Sequence, residues 1–106
     1  MTVQTIFEIQ ARLCLAMGNA TRLEIVHTLR EGPRRVSDLA QLLDLPQPTV
    51  SRNVSILRNA GVLVSERKPE GMYYQIANPK ITAVCDLMRE VLVEHYAQQS
   101  ELISKL

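Results

Sequence analysis

The chain reads as a mainly α protein with one small β-ribbon, ordered α-α-α-α-β-β-α, and three observations carry that reading. Apolar residues recur at three- and four-residue steps over four successive segments ending at Ala60-Gly61. The period then changes to that of strands between Val62 and Ile76. After Asn78-Pro79 the helical spacing returns and continues nearly to the end.

The first helix is expected from Val3 to Met17, where Val3, Ile6, Phe7, Leu13, Cys14 and Met17 keep helical spacing and Gly18-Asn19 stops it. Asn19 or Thr21 can cap a second helix through Glu31, with Leu23, Ile25, Val26 and Leu29 apolar and Gly32-Pro33 ending it. Ser37 and Asp38 open a two-turn helix on Val36, Leu39, Ala40 and Leu43, closed by Asp44-Leu45-Pro46. Pro46-Gln47-Pro48 starts the fourth, because proline is tolerated in a first turn, and Val50, Val54 and Leu57 face inward up to Ala60-Gly61. Val62–Arg67 and Met72–Ile76 are the expected strands, with Lys68-Pro69-Glu70-Gly71 as the hairpin loop and Tyr73 and Tyr74 on opposite faces. The last helix carries Ile81, Val84, Cys85, Met88, Val91, Leu92, His95, Leu102 and Ile103 at three- and four-residue steps.

Composition bounds what such a chain can be. With 106 residues there is room for one core, so residues 1–106 are expected to form a single domain. A 46% share of hydrophobic residues, with only four Gly and five Pro, excludes a disordered tail or fibrous repeat. No apolar run approaches the roughly 20 residues of a membrane span and the first residues lack a signal-peptide pattern, so a cytoplasmic protein without membrane partners is expected. Two cysteines in that compartment argue against a disulfide framework. The formal charge of +1 decides nothing, but its distribution does. No acidic residue lies between Asp44 and Glu66, a window holding Arg52 and Arg58 and followed by Arg67 and Lys68, whereas Asp86, Glu90, Glu94 and Glu101 gather in the last quarter.

Two helices joined by a three- or four-residue turn, the second polar on its outer face, form a helix-turn-helix, and Ser37–Asn59 has that pattern. On the fourth helix the inward set leaves Gln47, Thr49, Ser51, Arg52, Asn53, Ser55 and Arg58 on or near the outer surface. Gln and Asn pair with adenine, Arg with guanine, and Ser or Thr with phosphate or either base, so these residue types can distinguish base pairs. The competing reading is an ordinary solvated helix face, which is less often this free of carboxylates. Arg67 and Lys68 at the ribbon tip add cations for backbone phosphates, although ribbon tips are also often merely solvated.

Three blocks in this order and spacing, Ala16–Ile25, Leu45–Val64 and Gly71–Ile76, make the sequence resemble the ArsR family of bacterial winged helix-turn-helix repressors over nearly the whole chain. Asn53 departs from the family pattern, which usually carries His there. The resemblance implies a homodimer that represses its own operon and leaves a double-stranded DNA operator when an inducer binds. The physics of the last helix points to a dimer independently, because a helix of that length, apolar over more than one stripe, cannot bury all of its surface within a small domain. The first helix has a similar surplus, so the first and last helices are expected to form the subunit interface.

The inducer is less legible. Relatives that bind zinc on the last helix carry an Asp-x-His pair followed by His and Glu, and here Asp86 is followed by Leu87 and Met88. Thiolate-metal relatives carry Cys-x-Cys on the third helix, which here has no thiol between Val36 and Gln41. No metal residue is therefore assigned and no cofactor is required. Cys14 and Cys85 remain as candidate effector or redox residues, expected on facing apolar stripes of the first and last helices. Sulfide- and oxidant-sensing relatives place one thiol on the second helix, where this chain has His27, so that correspondence is partial. Three readings stay open for the cysteines: packed core residues, a thiol switch, or a soft-metal or metalloid site. An enzyme is not expected, since no phosphate loop, nucleophile elbow or paired carboxylates are readable. The rival to a DNA-binding regulator is a winged-helix module that docks or dimerises proteins without reading DNA.

Overall fold

The structure, a computed structural model, describes the backbone of residues 2–104 and the side chains of residues 2–100. The sequence expectations for Leu102 and Ile103 concern side chains outside the described residues. Seven elements follow the expected order: α1 (Val3–Met17), α2 (Ala20–Leu29), α3 (Val36–Leu43), α4 (Gln47–Asn59), β1 (Leu63–Lys68), β2 (Gly71–Ile76) and α5 (Pro79–Ser104).

Local chemistry sets most of the boundaries. Thr2 caps α1 by accepting from the Thr5 N–H at 3.0 Å, and of the two candidates for capping α2 it is Asn19 whose Oδ1 accepts from the Arg22 N–H, at 3.1 Å. The third helix starts one residue earlier than Ser37, because the Asp38 carboxylate reaches back to the Arg35 backbone N–H at 3.1 Å and closes the first turn around Val36. Asp44 ends that helix in the left-handed region at φ 53°. Gly61, at φ 86°, turns the chain out of α4 into the ribbon.

The strands pair antiparallel with Leu63 opposite Ile76 and Lys68 opposite Gly71, so the connection is only Pro69-Glu70. The first strand therefore lies one residue later than its sequence pattern suggested, and the second begins one residue earlier, at Gly71. Val62 is not in it, being fully buried with its N–H donating to the Leu57 carbonyl at 3.0 Å. Arg34 adds a backbone bridge to Tyr74, tying the α2–α3 connection to β2.

The core is Ile25, Val26, Leu29, Leu39, Val50, Val54, Leu57, Val62 and Leu63, drawn from three helices and the start of the ribbon. Leu13, Met17, Tyr74, Ile81 and Cys85 pack around it. α1 packs on α2 and α4, and α5 on β2. Among the described residues α1 and α5 are not one of the protomer's main packing pairs. Among the described residues only the first turns of α5 are anchored, through Ile81, Cys85 and an ion pair from Arg30 at the end of α2 to Asp86, which Arg89 also holds at 3.1 Å. Every described side chain from Leu87 onward is exposed. No helix among the described residues is long and apolar enough to cross a membrane.

Candidate nucleic-acid interface

The helix-turn-helix consists of α3, a three-residue turn and α4, and the core residues Val50, Val54 and Leu57 fix which side of α4 faces out. A helix turns about 100° per residue, so the outer arc is centred near Arg52, Ser55 and Asn59. Gln47, Ser51, Arg52, Ser55 and Arg58 are all exposed as the sequence predicted, and Thr49 is half-buried at the margin. This face has no carboxylate of its own. Among the described residues Arg52, Arg58, Arg67 and Lys68 form no ion pair, so their charges are available to an anion.

Asn53 is a correction. Expected on or near the outer surface, it is only 9% exposed and turned inward. Its Nδ2 donates to the Thr49 carbonyl one turn back at 2.9 Å, and its Oδ1 accepts from Arg22 Nη1 at 3.0 Å. One N–H and one lone pair of the amide are thus engaged within the protein, and the side chain belongs to the buried arc of α4 and not to its outer face. The signal was in the sequence: 53 lies only about 60° around the helix from Val50 and about 40° from Leu57, inside the buried arc.

The wing is more organised than its sequence suggested. The register puts Glu66, Lys68 and Tyr73 on one face, and Ser65, Arg67, Met72 and Tyr74 on the other. Tyr74 packs on the core. Tyr73 faces outward between two cations, with Lys68 Nζ 4.8 Å and the Arg35 guanidinium 5.9 Å from its ring centre. Arg35 also donates to Asp38 at 3.2 Å and to the Glu70 carbonyl at 3.4 Å, so it clamps the wing tip to the start of α3. Those bonds hold the Asp38 carboxyl below the usual carboxylate range. Arg35 was not singled out from sequence, because its role depends on a partner 38 positions away. Arg67 is exposed and Lys68 half-buried, and together with Arg52 and Arg58 they supply the cations of the proposed DNA-facing surface.

The two cysteines are free thiols, not joined in a disulfide. Cys14 is exposed on α1, while Cys85 is half-buried against the core on α5. Burial pushes the Cys85 thiol up, which disfavours its thiolate. His27 and His95 are both exposed, and His95 lies 3.1 Å from the Gln99 amide. Among the described residues no group of three or more His, Cys, Asp or Glu side chains could hold a metal ion.

Comparison with known proteins settles the lineage. A family model described as bacterial regulatory protein, arsR family, matches residues 19–65, which include the whole helix-turn-helix and the start of the wing. The arsenic resistance transcriptional regulator ArsR1 of Pseudomonas putida is 35% identical over 81 residues, covering 76% of this chain and 62% of that protein. The chain belongs to the ArsR family. Among solved structures, the homodimeric winged helix-turn-helix DNA-binding domain of Mb0332 from Mycobacterium bovis superposes on this ArsR-family chain with a TM-score of 0.80 at 28% identity, covering 87% of this chain and 85% of that one. The transcriptional repressor PagR of Bacillus anthracis is 34% identical with a TM-score of 0.73, covering 80% of this chain and 98% of its own. The chain spans between 54% and 62% of the length of several curated relatives.

Proposed function

We propose that this ArsR-family chain is a homodimeric transcriptional repressor that reads duplex operator DNA with α4, steadies the complex with the wing, and leaves the operator when an inducer acts. The observation that carries this reading is the outer face of α4, where Gln47, Ser51, Arg52, Ser55 and Arg58 stand exposed with no carboxylate among them and with unpaired cations. Arg67 and Lys68 extend the same charge onto the wing. The protein acts by binding, not catalysis.

The dimer is supported by the apolar side chains left open on two helices. Val3, Phe7 and Leu15 of α1, and Val84, Leu87, Met88, Val91 and Tyr96 of α5, are all more than half exposed. That surface on a small domain calls for a partner, and the relative from Mycobacterium bovis is described as homodimeric. A two-fold dimer presents its two recognition helices about 34–36 Å apart, one turn of DNA.

For the inducer, we place a Cys14–Cys85 bridge or a soft metalloid site across the dimer, with Cys14 of one protomer and Cys85 of the other, because both thiols lie on the helices whose open apolar surface is assigned to the interface. The arsenic resistance named for one relative agrees with a thiol-reactive inducer class. Operator release by arsenite or polysulfide should then disappear in Cys14→Ser and Cys85→Ser. Release that persists in both variants returns both thiols to packing.

Fluorescence anisotropy with duplex DNA over a range of salt tests the main reading. A steep linear fall of log affinity with log salt is expected, because bound cations displace condensed counterions. Arg52→Ala should cost about 1–3 kcal/mol at the specific site and relax preference at one base pair per half-site. Binding without salt dependence, or unchanged operator affinity in Arg52→Ala, supports the protein-docking alternative instead.

A further inference from the structure

We propose that Arg22 and Asn53 are positioning residues for the recognition helix: together they fix α4 against the end of α1, and neither touches DNA. The inference rests on the DNA-reading role of α4 proposed above and adds the residues that set its angle.

Four observations build the link. Asn53 folds back on its own helix by donating to the Thr49 carbonyl at 2.9 Å, which leaves its Oδ1 aimed at the protein interior. Arg22 Nη1 donates to that oxygen at 3.0 Å. On its other edge, Arg22 Nε donates to the Ala16 carbonyl at 2.5 Å. Ala16 lies in the last turn of α1, where carbonyls have run out of intrahelical donors, and it is the one buried residue of that helix. One guanidinium, carried on the first turn of α2, therefore joins the end of α1 to the middle of α4.

The chemistry suits a spacer better than a filler. Val50, Val54 and Leu57 show that apolar side chains satisfy this side of α4, and an amide–guanidinium pair here costs desolvation that a leucine would not. What the pair adds is direction. The planar fork holds two acceptors at fixed separation and angle, whereas apolar contacts let a helix slide or roll. Among the described residues Arg22 has no carboxylate partner, so its contacts are these two oxygens. A recognition helix needs such a restraint, since side chains reading base edges tolerate misplacement of only about 0.5 Å and 10–20°. Because α1 carries part of the exposed apolar surface assigned to the dimer, the same link refers the angle of α4 to the subunit interface.

The test begins by selecting a preferred duplex for the wild-type protein from a random pool. Affinities are then measured for that duplex, for its single-base variants and for non-specific duplex, with the wild type, Asn53→Leu, Arg22→Met, the double variant and the milder Arg22→Lys. Circular dichroism and thermal melting establish that each variant is folded, and Arg22→Lys stands in if Arg22→Met is not. Each single change is expected to weaken the selected duplex about tenfold or more, with discrimination falling at several base pairs together. Non-specific affinity and the salt slope should stay within about twofold, because no phosphate contact is removed. The double variant should be no weaker than the weaker single one, since both break one link. Loss confined to one base pair, additive losses, or unchanged affinity each overturns the proposal. If the wild type selects a duplex and the variants match it, this inference alone fails. If the wild type selects none, the DNA-reading role of α4 fails and takes the inference with it.

Discussion

Tyr73 shows how much of the wing depends on single side chains. Its ring lies between Lys68 and Arg35, and Arg35 in turn reaches Asp38 and the Glu70 carbonyl, so one aromatic residue couples the wing tip to the start of α3. Replacing it with leucine keeps bulk but removes the π face, and Tyr73→Leu should weaken specific and non-specific duplex alike by severalfold while leaving base preference intact, measured by anisotropy on both duplexes. A change in preference at a base pair would instead make Tyr73 a reader. At the same scale, the alternation of Tyr73 and Tyr74 was legible from sequence but which ring faced out was not, because that depends on the pairing of Leu63 with Ile76 on the core side. Asn53 was misplaced for a different reason. Its residue type suggests a base contact, and the angular position inside the Val50–Leu57 arc outweighs that suggestion.

At the scale of elements, helix ends were readable wherever the determinant is local. Gly61, Pro48 and the cap at Asn19 act within a few residues and marked α2 and α4 closely. The second helix ends at Leu29, two residues before the expected Glu31, and other boundaries shifted where the determinant is a partner: Val36 joins α3 through Asp38 and Arg35, and Val62 leaves the ribbon because it is drawn into the core, bonded to Leu57. The Arg35–Asp38 pair also predicts a pH dependence. The Asp38 carboxyl is lowered by the hydrogen bonds from Arg35, and Asp86 is likewise lowered by Arg30. A lowered folded-state value means each carboxylate stabilises the fold above its unfolded-state range, and that contribution is lost as pH falls through the lowered value. Thermal melting between pH 6 and the acid limit, roughly pH 2, should therefore show a shallower acid loss in Asp38→Asn and Asp86→Asn than in the wild type. Identical acid limbs would show that neither pair contributes. The wing cations make a further prediction: Arg67→Ala with Lys68→Ala should lower the salt slope of duplex binding by roughly two, about one per lost phosphate contact. A loss confined to the preferred duplex would contradict a phosphate role for them.

For the whole molecule, the order of elements was legible because period and punctuation agree along the chain, while the relation of α1 to α5 was not. Both helices carry apolar surplus, and the sequence invites pairing them directly. Within the protomer α1 packs chiefly on α2 and α4, and α5 on β2. In the proposed dimer a second copy of the chain covers their open apolar side chains. Val91, 58% exposed in the protomer, tests this: sedimentation should find the wild type dimeric at micromolar concentration and Val91→Glu monomeric with its helical content kept, because an unpaired carboxylate in an apolar interface is costly. A Val91→Glu protein that remains dimeric would place the interface elsewhere. The central claim, a two-fold dimer setting two α4 helices in successive major grooves, is tested most directly by a spacing series. The duplex selected by the wild type is rebuilt with its half-sites moved apart by about 5 base pairs, half a helical turn, and the affinity of each is measured. An inverted repeat with half-site centres about one turn apart is expected, with a fall to non-specific affinity when half a turn is inserted. Affinity indifferent to that insertion, or a preferred site without two-fold symmetry, would contradict it.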